Sequence, residues 1–306
     1  MGTIQLLLGR HGPNDHYLGG RYYHPDRPRR PQTLAFPLSE RTIHLYEYIL
    51  PSQLRDPVPA RWMFGSFSSR YDRTALQFAL EVEEAGGKSY NAESRPDPDS
   101  DRHYAELHET AERADLAFFK RPTYARYLEL AQAEERFGAL RESLVEANLE
   151  HFASGGFDVV ARLGRIHSSV QRLARRGFDV RTRIGAGSFF PEQILKRRAI
   201  FGLEVREEDR MRAYIDRLLR IVPLWSPRLK LPSHEFLLSL RDDRLAAVRE
   251  RFEAAVALSR SLPAARDLLA VLVEVAGYQP ETGRGQRDPR FARLLSLSDN
   301  PRGGST

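Results

Sequence analysis

The chain has 306 residues and no cysteine. That length fits one large or two modest domains, and the missing thiol excludes disulfides, Cys-ligated zinc, Fe–S clusters and a cysteine nucleophile. Net charge is +6, but 41 acidic residues are interspersed among 47 basic ones, so nucleic acid is a disfavoured partner.

Among the basic residues only Lys88, Lys120, Lys196 and Lys230 are lysine. Arg–Glu spacing such as Glu134, Glu135, Arg136, Arg141 and Glu142 predicts a solvated helix face. No apolar run approaches the roughly 18 residues of a membrane span. The apolar stretch at 4–8 is too short for a signal-peptide core, so a cytoplasmic chain is expected.

Residues 3–8 predict a buried strand ended by Gly9. Residues 12–37, rich in Gly, Pro, Tyr and Arg, predict a long loop of the functional or mobile kind. Ser39 followed by Ile43, Leu45, Tyr46 and Ile49 predicts a capped helix that stops before Pro51. A strand is expected at 61–64, a helix at 74–84 ended by Gly86 and Gly87, and an extended segment at 88–92. After a polar loop at 94–102, residues 103–152 carry a helical period. Phe137, Leu140, Leu144, Ala147 and Phe152 fall near one face of it.

Gly155 and Gly156 end that helix. Then residues 157–163 predict a strand, Gly164-Arg165-Ile166-His167 a tight turn, 168–176 a helix capped by Gly177, and 178–183 the next strand. This spacing is a βαβ unit and implies parallel strands. From 191 to 276 the pattern is helical, broken near Pro223, Pro227, Pro232 and Pro263. The expected fold is α/β: a mostly parallel sheet flanked by helices over 1–190, a helical region at 191–278, and a mostly disordered tail at 279–306.

Two histidines share one context. His11 lies in Leu8-Gly9-Arg10-His11 and His167 in Leu163-Gly164-Arg165-Ile166-His167, each just after a predicted strand. In a parallel sheet both stand at the carboxyl edge, where ligand crevices form. Two neutral imidazoles there suit a divalent metal. His16 follows in the same loop as a further ligand, and Glu93, after the third predicted strand, is a carboxylate ligand or base. His44, His151 and His234 fall within helical patterns and read as helix-face residues.

The stretch 141–183 resembles the TIKI/TraB superfamily, which includes the ChaN-like haem-binding proteins and the erythromycin esterases. The resemblance is carried by an Arg-led helix starting at Arg141 with Leu144, Ala147 and Leu149, an apolar strand, the Gly-x-x-His turn from Gly164 to His167, Leu173, and the strand Gly177-Phe178-Asp179-Val180. The family's earlier Gly/His turn corresponds to Leu8-Gly9-Arg10-His11, one residue shorter, and its glutamate after a following strand to Glu93. The resemblance implies metal-dependent hydrolysis of a peptide or ester bond, with His11, His167 and Glu93 as ligands or base, or else haem handling.

A second resemblance is to the histidine phosphatases. Arg10-His11-Gly12 follows an N-terminal strand, and Ser69 precedes Arg73 by four residues ahead of a helix. It implies a phosphorylated His11, with Arg10 and Arg73 on the phosphate oxygens and His167 completing the pocket. The non-enzymatic alternative is a haem-, protein- or nucleic-acid-binding chain on a decayed enzyme fold.

Overall fold

The computed structural model describes residues 1–9, 17–18, 21–22, 36–47, 82–94, 98–184, 191–221, 232–259, 263 and 265–279. The chain divides into two compact units, one of residues 1–109 and 135–187 and one of residues 110–134 and 188–306. The predicted strand at 61–64, the predicted helix at 74–84 before Val82, and the tail beyond Gln279 lie outside the described residues. Within the loop expected at 12–37, β2 (Tyr17–Leu18) pairs antiparallel with β3 (Arg21–Tyr22).

The first unit is built on five parallel strands: β1 (Thr3–Gly9), β4 (Thr42–Tyr46), β5 (Lys88–Asn91), β6 (Asp158–Gly164) and β7 (Asp179–Ile184). Their order across the sheet is β5-β4-β6-β1-β7, and every pairing is parallel. The α/β class read from the sequence is therefore the observed one. The predicted strand–helix–strand unit has a twist of topology: β6 and β7 are parallel but not neighbours, because β1 lies between them and pairs with both.

Alternation of side chains divides each strand between two faces. On one face Ile4, Leu6, Leu8, Ile43, Leu45, Val159, Ala161 and Leu163 form a core with Val145, Leu149 and Ala153. Those last three recur every fourth residue along one helix and make its sheet-facing stripe. Ala147, expected on the apolar face, is exposed. The opposite face buries Gln5, Thr42, His44, Ser89 and Asn91.

Two corrections concern elements. Residues 42–46, read as part of a helix, are strand β4, and all five are buried. Ile43, Tyr46 and Ile49 imitate a helical period, but Thr42-Ile43-His44-Leu45-Tyr46 is a β-branched and aromatic run with both faces covered, as in the interior of a parallel sheet. His44 is accordingly a buried strand residue and not a helix-face one. The long helix expected at 103–152 is two helices, α1 (Pro98–Lys120) and α2 (Tyr124–Ser154). Pro122 sits in the break; it has no N–H to continue a helix and disfavours helical geometry in the residue before it. Gly156, at φ +83°, closes α2, a conformation that favours glycine.

The segment after β6 is a 3₁₀ helix over Arg165–Arg176, ended by Gly177 in the left-handed region. The second unit holds α3 (Pro191–Ile200), α4 (Glu207–Ile221), α5 (His234–Leu238), α6 (Asp242–Leu258) and α7 (Ala265–Ala276). Its core includes Tyr127, Tyr214, Phe118, Phe252 and Leu268, and the Tyr214 hydroxyl donates to the Pro122 carbonyl at 3.0 Å. Among the described residues no helix is long and apolar enough to cross a membrane.

Candidate functional site

Parallel strands end together at one edge, and there the first unit brings together a group of buried charged side chains. Glu47 follows β4 directly, its N–H donating to the Arg162 carbonyl of β6 at 3.2 Å. Glu93 lies just past β5. The Ala92 N–H donates to the Tyr46 carbonyl at 2.8 Å, and the Glu93 N–H donates to Asn91 Oδ1 at 3.1 Å, which turns the chain and aims the carboxylate inward. Asn148 of α2 fastens the same turn by donating to the carbonyls of Ala92 and Ser94 at 2.9 and 3.1 Å. His167 stands in the 3₁₀ segment after Gly164, and Gly164 is the register partner of Gly9 at the end of β1.

These three groups converge. One ligand atom each from Glu47, Glu93 and His167 lies within 4.8 Å of the others. Glu47 Oε1 is 3.0 Å from His167 Nε2, and Glu47 Oε2 accepts from the Gly164 N–H at 2.5 Å. Glu93 Oε2 accepts from the Tyr104 hydroxyl at 2.9 Å. Arg141 of α2 spans both carboxylates: its Nε is 2.9 Å from each Glu93 oxygen, and its Nη2 lies 2.6 Å from Glu93 Oε1 and 2.5 Å from Glu47 Oε1. Glu142, the next residue of α2, forms an ion pair with His167 Nδ1.

All of this is out of water. The side chains of Glu93, His167, Glu142 and Glu47 are 1%, 2%, 7% and 8% exposed, and Arg141 is 16% exposed. Burial alone pulls an imidazole down, but the Glu47 and Glu142 carboxylates reverse that and push His167 up to about 10. Burial likewise works against the Arg141 cation, and Glu93 and Glu47 outweigh it and hold the guanidinium charged. With His167 protonated, two cations face three carboxylates.

The sequence candidates divide cleanly. Glu93 and His167 are brought together; Arg10, His11, His16 and Arg73 lie outside the described residues. Glu47, Tyr104, Arg141 and Glu142 are site residues that sequence reading did not nominate. Arg141 and Glu142 are not the solvated face that their Arg–Glu spacing predicts, since both turn inward to the sheet edge. The signal available for Glu47 is its place just after a strand, the same signal that picked out Glu93.

The arrangement offers one imidazole nitrogen and two carboxylates to a common point, a mixed N/O donor set suited to a divalent first-row metal. No family model, no curated protein and no solved structure matches this chain.

Proposed function

We propose that the chain is a metal-dependent hydrolase of peptide or ester bonds, its divalent transition metal held by Glu47, Glu93 and His167. The observation that carries the proposal is the convergence of those three buried groups within 4.8 Å at the carboxyl ends of parallel strands. Charge supports it. A divalent cation that replaces the His167 proton faces the three carboxylates together with Arg141, and the buried set becomes neutral, a large gain where unpaired charge is costly. The resemblance to the TIKI/TraB superfamily points the same way. Its two Gly/His motifs correspond here to the sequences that begin at Gly9 and Gly164, register partners on neighbouring strands. His11 and His16 are the sequence-based candidates for further ligands.

A bound metal supplies Lewis acidity toward a carbonyl and makes water a better nucleophile at neutral pH. The chain's own residues prepare the place. The Gly164 N–H ties down one Glu47 oxygen and leaves the other facing His167. Tyr104 and Arg141 fix the Glu93 carboxylate from two sides. Arg141 spans the two carboxylates and balances their charge.

One observation favours a second reading, in which the same groups are only a structural ion network: Arg141 already engages both carboxylates. The phosphoryl-transfer alternative draws less support, because the three carboxylates near His167 repel a phosphate. The test is metal content of the purified protein, wild type beside His167→Ala, with circular dichroism as folding control and ester and peptide hydrolysis as activity. Near-stoichiometric transition metal in the wild type, lost with hydrolysis in a folded variant, is the expected result. No metal in either protein after metal-supplemented expression overturns the proposal.

A further inference from the structure

The two nitrogens of the His167 ring each lie close to a carboxylate, and to different ones, as ion-pair approaches rather than aligned hydrogen bonds. Nε2 points to Glu47 Oε1 at 3.0 Å, inside the group that also contains Glu93. Nδ1 lies against Glu142. Glu142 comes from α2 and is buried with only 7% of its side chain exposed. It lies outside the trio and touches none of the three except the imidazole in the contacts described above.

We infer that Glu142 is a positioning residue that holds His167 as the Nδ1–H tautomer and so commits Nε2 to the metal. The inference rests on the metal reading of the preceding section. A ligating imidazole is neutral, with one nitrogen protonated and the other donating its lone pair. Which nitrogen keeps the proton is decided by the hydrogen bond that the proton makes. Here a carboxylate facing Nδ1 stabilises the proton there, and the lone pair falls on Nε2, the atom that faces Glu47.

The adjacent residue does the corresponding work for the carboxylates. Arg141 orients Glu93 and Glu47, and Glu142 orients the imidazole, so one step of the α2 backbone supports all three ligands. Successive helix residues diverge by about 100°, which lets the two side chains reach different ligands of one site. An outer carboxylate of this kind typically changes metal affinity by about 10- to 100-fold.

The experiment uses the full chain, stripped with chelator, as wild type, Glu142→Gln and Glu142→Ala. Zinc affinity is measured by competition with a chromophoric chelator, and the His167 tautomer is read from ¹⁵N imidazole shifts of the zinc-loaded protein. The expected result is zinc on Nε2 with the proton on Nδ1 in the wild type. Affinity falls about 10- to 100-fold in Glu142→Ala and less in Glu142→Gln, whose amide oxygen still accepts from Nδ1–H. Zinc on Nδ1 in the wild type overturns the inference without recourse to any variant. So does an affinity and tautomer unchanged in Glu142→Ala while the wild type binds zinc. A wild type that binds no zinc, manganese or cobalt overturns the metal reading itself.

Discussion

Glu47 Oε1 lies 3.0 Å from His167 Nε2, although the two residues leave different strands and only β4–β6 pairing brings those strand ends together. Tyr46 of β4 is the register partner of Arg162 of β6, so the residues that follow them emerge side by side. The same oxygen of Glu47 also meets Arg141. One carboxylate thus joins the sheet edge, the 3₁₀ turn and helix α2.

Removing Arg141 tests how much the site depends on that joint. Arg141→Met keeps an apolar stem but leaves Glu93 and Glu47 without their shared cation in a buried setting. Breaking a buried pair in this way typically costs about 3–5 kcal/mol. The urea midpoint of the metal-free protein should fall accordingly, and saturating divalent cation should recover part of the loss, because a ligand that binds only the folded chain stabilises it. A midpoint unchanged within error contradicts the geometry given for Arg141.

His44 provides a pH test away from the cluster. Burial and the nearby Arg162 charge hold its imidazole well below the ordinary value of 6.5. The unfolded chain therefore takes up a proton near pH 6.5 that the folded chain refuses. Stability from this group is complete above about pH 6.5 and is lost as pH falls from there toward the folded-state value. In urea unfolding at pH 7.5 and pH 5, His44→Gln should lose less stability on acidification than the wild type does. Parallel losses in the two proteins would show that His44 titrates normally.

A tight approach near the start of β4 offers a packing test. A Cβ at Gly87 would lie 2.6 Å from the Thr42 carbonyl oxygen and 2.7 Å from Val82 Cγ1. The first is backbone of the strand that carries Glu47 at its far end, so it yields only if the strand moves. Gly87→Ala should cost about 1–3 kcal/mol, the usual range for overpacking, read as a lower midpoint in chemical denaturation. A neutral substitution would mean that β4 and the turn before β5 are looser than described.

Much of the fold was legible because its signals are local. Apolar runs ended by Gly9 and Gly164 marked β1 and β6, and Gly177 marked the end of the 3₁₀ segment. His167 was legible for the same reason, and Glu93 because it follows the extended segment predicted at 88–92. Glu47 was not, and the cause is specific: Ile43, Tyr46 and Ile49 fall at helical spacing, and that period hid the polar–apolar alternation of Thr42-Ile43-His44-Leu45. Once that segment is read as helix, Glu47 is one more exposed helix glutamate. Arg141 and Glu142 were hidden by the opposite effect. Charged residues at helical spacing usually face water, and only the sheet edge opposite gives them a reason to turn inward. The insertion of β1 between β6 and β7 has no local signal at all, since strand order is set by long-range pairing.

The most direct measurement is a calorimetric titration of chelator-stripped protein with zinc and with manganese, wild type beside Glu47→Gln. The substitution keeps the size of the side chain and removes its charge, and circular dichroism confirms that the variant is folded. The account predicts one divalent ion bound per chain in the wild type, with affinity lost or reduced at least about tenfold in the variant, in line with losing a charged ligand from a three-ligand site. Absence of saturable binding in the wild type, or equal binding in the two proteins, would contradict it and leave the buried cluster as a structural ion network.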